Sequence, residues 1–118
     1  MPIDRISQEL LVVTFSDRRR LNDELKAVNN MVRKGSDCHV FINLRGVEMM
    51  NSTNLCNLII LRRSLNRMGR KLILYNASLP IKCLFTVTGL RGIFKFTEDR
   101  DEAIEALAET DYKVSLPR

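Results

Sequence analysis

The polar segment Asn51-Ser52-Thr53-Asn54 contains the side chains of this sequence that are best placed to act as a switch. It follows the apolar, β-branched run Val40–Ile42 and precedes a leucine-rich segment with helical spacing. Strand, loop and helix in that order place Ser52 at a helix N-terminus, close to the end of a central strand. This segment is therefore the best candidate in the sequence for a switchable site. The structural alternative is that Ser52 or Asn51 simply caps the helix.

The rest of the chain lacks the residue combinations on which enzymes commonly rely. It has no paired carboxylates and no cysteine–histidine arrangement, and Gly46, Gly69, Gly89 and Gly92 are too scattered for a phosphate-binding loop. The single histidine, His39, has no acid or nucleophile at a telling spacing, which favours an ordinary strand residue over a general base. We therefore predict a protein that is not an enzyme and that uses no cofactor.

The three cysteines do not form a recognisable metal or disulfide pattern. Cys38, Cys56 and Cys83 are an odd number with wide spacings, and one histidine cannot complete a zinc set. A disulfide scaffold is not expected in a chain long enough to form its own core. We predict buried thiols that behave as small hydrophobic side chains, and no metal site.

The formal charge of +5 comes from basic residues spread along the chain, with small clusters at Arg18–Arg20, Arg62–Arg63 and Arg67–Lys71. Because aromatic residues are few and do not interleave with these clusters, a solvated face or a docking surface for an acidic protein is favoured over nucleic-acid binding. No apolar run reaches the roughly 20 residues of a transmembrane helix, and the N-terminus is not typical of a signal peptide. We expect a cytoplasmic protein without a membrane span.

Short apolar runs and helical spacings alternate along the chain. They predict strands at Ile3–Ser7, Glu9–Phe15, Cys38–Leu44, Lys71–Tyr75 and Ile93–Phe96. They predict helices from Leu21 to Gly35, from Ser52 to Met68, from Pro80 to Gly89, and after Asp99 with an apolar stripe of Ala103, Ile104 and Leu107. In the third of these strands, Val40, Ile42 and Leu44 face one side, and His39, Phe41 and Asn43 face the other. Asp111–Arg118 has no clear pattern and is expected to be a flexible tail.

This order predicts one small α/β domain over residues 1–110, with residues 111–118 as the tail. Alternating strands and helices with short connections form crossover units, so we expect a mostly parallel sheet of four to five strands covered by helices. In such sheets, ligands and partners meet the loops at the carboxyl ends of the strands. Those loops are 16–21, 45–52 and 76–78.

A series of short motifs in residues 40–96 resembles the STAS domain, which bacterial anti-sigma-factor antagonists share with the cytoplasmic tails of sulphate transporters. The similarity extends from about residue 9 to residue 108. The matching positions are Asn43-Leu44, Asn51–Leu55, Gly69–Ile73, Ser78, Ile81, Leu84-Phe85, Gly89-Leu90 and Ile93. The sequence departs from the family pattern at Asn51 and Asn54, where the family has aspartate and glycine, and at Ser16–Arg20, where the family has an acidic loop.

The resemblance implies that Ser52 is the phosphoacceptor, because the first serine of this loop is phosphorylated in the family by an anti-sigma factor that acts as a serine kinase. The position suits such a switch. A phosphate group adds about −1.5 to −2 charges, and a helix N-terminus offers unpaired N–H groups and a positive dipole to receive them. The fold would change little, while a surface that binds the kinase would gain a bulky, repulsive group.

The hypothesis that follows is a protein–protein interaction module of the anti-sigma-factor antagonist type. It would bind an anti-sigma factor or serine kinase when Ser52 is unmodified and release it after phosphorylation. The expected partner-binding residues come from all three loops, and they are Asp17, Arg18, Asn51, Thr53, Asn54, Asn76 and Ser78. The alternative is a divergent STAS scaffold that is never phosphorylated and binds another regulator through the same face, with Arg18–Arg20 contributing.

Overall fold

A computed structural model describes residues 3–15 and 20–115, with side chains described as far as residue 108. The strands are β1 (Ile3–Ser7), β2 (Leu10–Thr14), β3 (His39–Asn43), β4 (Leu72–Tyr75) and β5 (Lys95–Thr97). The helices are α1 (Leu21–Arg33), α2 (Ser52–Arg67), α3 (Leu79–Val87) and α4 (Arg100–Ser115). The predicted class, a single α/β domain with alternating strands and helices, is confirmed.

The five strands form one sheet in sequential order, with β3 at its centre. Strand β1 is antiparallel to β2, and every other pair is parallel. Parallel strands need crossover connections, and these are right-handed in nearly all proteins. When each crossover adds the next strand on the same side, the connecting helices all fall on one face of the sheet. The strand order therefore explains why α1, α2 and α3 share a face.

Two buried clusters lie on opposite sides of the sheet. The larger one packs α1, α2 and α3 against side chains that include Val40 and Ile42 of β3. The smaller one packs α4 against Phe41 and neighbouring strands on the other face. This division confirms the alternation predicted for β3, whose side chains are buried on both faces as expected for an internal strand.

The C-terminal helix differs from its prediction in its apolar stripe and its length. Ala103 and Ala106 face the sheet and are buried, whereas Ile104, which we expected to pack inward, is 46% exposed. The small alanine side chains allow α4 to approach the sheet closely. The helix also continues to Ser115, so the backbone is helical over the first residues of the segment 111–118 for which we predicted a tail. Residues 116–118 lie outside the description.

The prediction for the cysteines is correct for one residue and wrong for two. Cys38 is buried just before β3, whereas Cys56 and Cys83 are exposed on α2 and α3. Each of the exposed thiols lies on a helix face that points away from the sheet. Their helical positions, off the apolar stripes of α2 and α3, account for their exposure. The last strand also begins later than expected, because Ile93 belongs to the turn that precedes β5.

The amino-terminal end of the sheet is held by polar side chains at the start of β3 and on the loops that precede β3 and β4. His39 Nδ1 accepts a hydrogen bond from the Lys71 backbone N–H at 3.0 Å. Arg70 Nε donates to the carboxylate of Asp37 at 2.6 Å. This hydrogen bond and the positive charge of Arg70 hold the pKa of the Asp37 carboxyl below its usual value. The contacts are structural, and they lie at the end of the sheet opposite Ser52.

Candidate functional site

The loop between β3 and α2 ends in a reciprocal pair of hydrogen bonds that fixes the start of the helix. Asn51 is the N-cap residue, and its Oδ1 accepts a hydrogen bond from the Asn54 N–H at 2.8 Å. Asn54 Oδ1 in turn accepts from the Asn51 N–H at 3.0 Å. This is the capping-box arrangement, in which each side chain satisfies a backbone donor of the other residue. Of the two capping candidates, the structure therefore selects Asn51.

Ser52 is the first residue of α2, and its side chain is exposed. The next residue, Thr53, is exposed as well. Among the described side chains, no hydrogen bond from or to the Ser52 hydroxyl is found. The N–H of Leu55 already bonds the Asn51 carbonyl at 3.1 Å, and Asn51 Oδ1 takes the Asn54 N–H. The backbone N–H groups of Ser52 and Thr53 are thus the donors at the helix start that have no intrahelical acceptor.

The side chain of Asn54 points into the protein and is only 6% exposed. Its Nδ2 donates to Asn22 Oδ1 on α1 at 3.1 Å, and Asn57 Nδ2 donates to the same oxygen at 2.7 Å. Asn29 extends this network by donating to the Asn57 carbonyl at 3.0 Å. Asn54, at the position where the resemblance implies a glycine, therefore joins α2 to α1 and leaves the exposed surface around Ser52 clear.

Two side-chain hydrogen bonds join the loop that follows β4 to the last residue of β3 and to the loop after it. Asn76, with a φ of 58°, donates from Nδ2 to Asn43 Oδ1 at 3.0 Å. Ser78 is the N-cap of α3, and its hydroxyl also donates to the Val47 carbonyl at 3.3 Å. Asparagine tolerates this left-handed backbone better than most residues do. The two contacts bring Asn76 and Ser78 to the same end of the sheet as the start of α2.

Two exposed apolar residues at this end of the sheet escaped the sequence analysis. Met49 is 70% exposed in the loop before Asn51, and Leu79 is 73% exposed directly after Ser78. The hydrogen bond between Ser78 and Val47 joins the two loops that carry them. Their signal in the sequence is weak, because neither belongs to a periodic apolar run, and Met49 is followed by Met50, which is buried. These two residues, with Ser52 and Thr53, are exposed at the same end of the sheet, and we call the four residues the elbow surface.

Two of the predicted partner-binding residues, Asp17 and Arg18, lie outside the described residues. Among the side chains described, those of residues 3–15 and 20–108, no group of three or more histidine, cysteine or acidic residues is placed to bind a metal ion. None of the helices in that same part of the chain has the length and apolar character required to span a bilayer.

A family model for the STAS domain matches residues 5–103 of the chain. The chain belongs to the STAS domain family. Solved STAS structures share this fold at low sequence identity, whereas a comparison with curated proteins gave no significant match. A Thermotoga maritima protein described as a candidate anti-sigma factor antagonist is 19% identical, with a TM-score of 0.77 over 91% of this chain and 93% of that one.

Three further solved structures are also similar. An anti-sigma-factor antagonist domain protein from Planctomyces limnophilus is 17% identical, with a TM-score of 0.76 over 90% of this chain and 97% of that one. The unphosphorylated anti-sigma factor antagonist SpoIIAA is 17% identical, with a TM-score of 0.74 over 91% of this chain and 95% of that one. The phosphorylated form of Bacillus SpoIIAA superimposes with a TM-score of 0.67 at 17% identity, over 88% of this chain and 96% of that one. At these identities the likeness establishes the fold, which this STAS domain shares over nearly its whole length.

Proposed function

We propose that this STAS domain is an interaction module of the anti-sigma-factor antagonist type, acting in the bacterial cytoplasm. In this proposal, it binds an anti-sigma factor or related serine kinase and is released when Ser52 is phosphorylated. The observation that carries the proposal is the exposed Ser52 hydroxyl at the first position of α2, where Asn51 already performs the capping task. The protein then serves as the acceptor of a phosphate group and catalyses no reaction itself.

The elbow surface supports binding of a partner in the unmodified state. Met49 and Leu79 offer exposed apolar area at the same end of the sheet as Ser52, and removal of such area from water favours association. Thr53, Asn76 and Ser78 supply polar groups at the same end of the sheet. Asn51 and Asn54 act differently, because their side-chain oxygens hold the helix start in place. Asp17 and Arg18 belong to the neighbouring loop and are proposed as additional contacts.

Phosphorylation of Ser52 is expected to alter binding without altering the fold. The backbone N–H groups of Ser52 and Thr53 and the positive end of the α2 dipole can stabilise the added charge. No acidic residue occupies the first turn of α2, so the phosphate group meets no like charge there. The same group adds about 1.5 to 2 negative charges and considerable bulk to the elbow surface, which disfavours a docked partner.

The test is incubation with the cognate serine kinase and ATP, followed by peptide mass spectrometry and a binding measurement. We expect phosphate on Ser52, none on the Ser52→Ala variant, and loss of kinase binding for Ser52→Asp. Thr86→Asp is the matched control, because it adds the same charge at an exposed position of α3 outside the elbow surface and should bind much more tightly than Ser52→Asp. A wild-type protein that gains no phosphate and forms no complex would refute the proposal. Unchanged binding and signalling by Ser52→Ala would instead favour a scaffold that is never phosphorylated.

A further inference from the structure

A groove between α1 and α2 forms a second candidate surface, away from the start of α2. It encloses a cavity of about 250 Å³. We call it the basic groove, and its lining residues are Lys26, Asn29, Asn30, Arg33, Asn57, Ile60 and Ser64. Its walls carry two cationic side chains, several amides and one apolar side chain, and no acidic residue is among them.

The positive charge of the groove extends along its rims. Lys26 and Arg33 are seven residues apart, so they lie two turns apart on the same side of α1. On α2, Arg67 lies one turn beyond the groove, and this helix contains no acidic residue at all. Ile60 is 51% exposed between these charges. The groove therefore suits an acidic helix that presents an apolar side chain at its centre.

Helix α4 has those properties on the opposite face of the sheet. Asp101 and Glu105 are exposed one turn apart, and Ile104, which is 46% exposed, lies between them in sequence. We call these three residues the acidic face. Residues 98–107 contain five acidic side chains and one basic side chain, although the whole chain carries a net charge of +5. Among the described residues, neither Asp101 nor Glu105 has an ion-pair partner.

We propose that the acidic face of α4 in one copy of this chain docks into the basic groove of a second copy. The two isoleucines, Ile60 and Ile104, would pack together at the centre of the contact, and Lys26 and Arg33 would face Asp101 and Glu105. Complementary charge steers such an encounter and suppresses other orientations. The occupant is a second copy because the chain itself supplies a helix with the complementary charge and apolar centre.

The placement of the two surfaces determines the kind of assembly. The basic groove lies on the face of the sheet that carries α1 and α2, whereas α4 covers the other face. The contact is therefore head-to-tail, and every complex of two copies retains one free groove and one free acidic face. Heterologous contacts of this kind give rings or open chains. The assembly should consequently grow beyond two copies as the protein concentration rises.

The test measures the mass of the full chain by light scattering and sedimentation over a range of concentrations. At about 0.02 M salt, where the screening length is roughly 20 Å, we expect the average mass to rise to at least twice that of the monomer. At about 0.5 M salt, where the screening length is roughly 4 Å, the monomer should predominate. Two neutralised variants, Lys26→Gln with Arg33→Gln and Asp101→Asn with Glu105→Gln, should each stay monomeric. An equimolar mixture of the two should form a one-to-one pair and nothing larger, because each variant retains only one functional surface.

A third variant separates the proposed contact from a general effect of charge. Arg45→Gln with Arg91→Gln removes two exposed positive charges outside both surfaces and should associate like the wild type. Circular dichroism checks that every variant is folded. The proposal is overturned if the wild type stays monomeric at low salt, if the neutralised mixture stays monomeric or forms complexes larger than pairs, or if the control variant also stays monomeric.

Discussion

Replacement of Asn22 by alanine is expected to lower the free energy of unfolding by about 2–4 kcal/mol, although Asn22 itself is only partly buried. Asn22 Oδ1 accepts hydrogen bonds from the side-chain amides of both Asn54 and Asn57. Those two residues are 6% and 9% exposed. A buried donor that loses its acceptor costs about 1–3 kcal/mol. Asn57 borders a groove that admits water, which can replace the lost acceptor. The cost of leaving the Asn57 amide without Asn22 should therefore fall at the lower end of that range.

The matched control is Asn22→Asp, which retains the accepting oxygen. Asn22 is the second residue of α1, where a carboxylate also interacts favourably with the helix dipole. We therefore expect Asn22→Asp to stay within about 1 kcal/mol of the wild type. Equilibrium unfolding in urea, followed by far-ultraviolet circular dichroism, measures both variants. The reasoning fails if Asn22→Ala lies within about 0.5 kcal/mol of the wild type, or if Asn22→Asp loses as much stability as Asn22→Ala.

Three further predictions concern the core, the thiols and the pH dependence of stability. Leu58→Ala removes a fully buried side chain and should lower the free energy of unfolding in urea by about 2–5 kcal/mol; a loss below about 1 kcal/mol would contradict the packing. A thiol reagent should modify Cys56 and Cys83 rapidly in the native protein, as mass spectrometry can show, but Cys38 only after unfolding, because burial protects this thiol and raises its pKa. Asp37→Asn should lower the urea midpoint slightly at neutral pH. The pKa of the Asp37 carboxyl is lowered in the folded state, so the stability that its charge adds is present above its usual pKa and is lost as the pH falls through the folded pKa. The difference in urea midpoint between the wild type and Asp37→Asn should therefore shrink in acid, and a difference that grows there would contradict the ion pair.

Much of the fold could be predicted because its signals are local. The β-branched runs, the helical spacing of leucines and the positions of Gly35, Gly69 and Gly89 depend on neighbouring residues, and they located all nine elements within a few residues. The same local signals placed Ser52 at the start of α2, because the polar segment there ends a loop and begins an apolar helical stripe. The buried face of the C-terminal helix was predicted less well than its position. Hydrophobic periodicity counts Ile104 and Ala106 alike as apolar residues, so it cannot tell that the alanine is buried and the isoleucine is exposed.

The site depended on the tertiary structure, because its decisive contacts join residues that are far apart in sequence. Asn54 points inward because its side-chain amide donates a hydrogen bond to Asn22, which lies 32 positions earlier in the chain. Ser78 reaches the loop after β3 through a contact across 31 positions. The sequence by itself determined the alternating α/β order and the position of Ser52 at the first turn of a helix, since hydrophobic periodicity and turn residues act over short distances. Only the packed structure decided that Asn51 forms the cap, that Ser52 stays exposed, and that two exposed apolar residues lie at the same end of the sheet, since burial depends on what the rest of the chain covers.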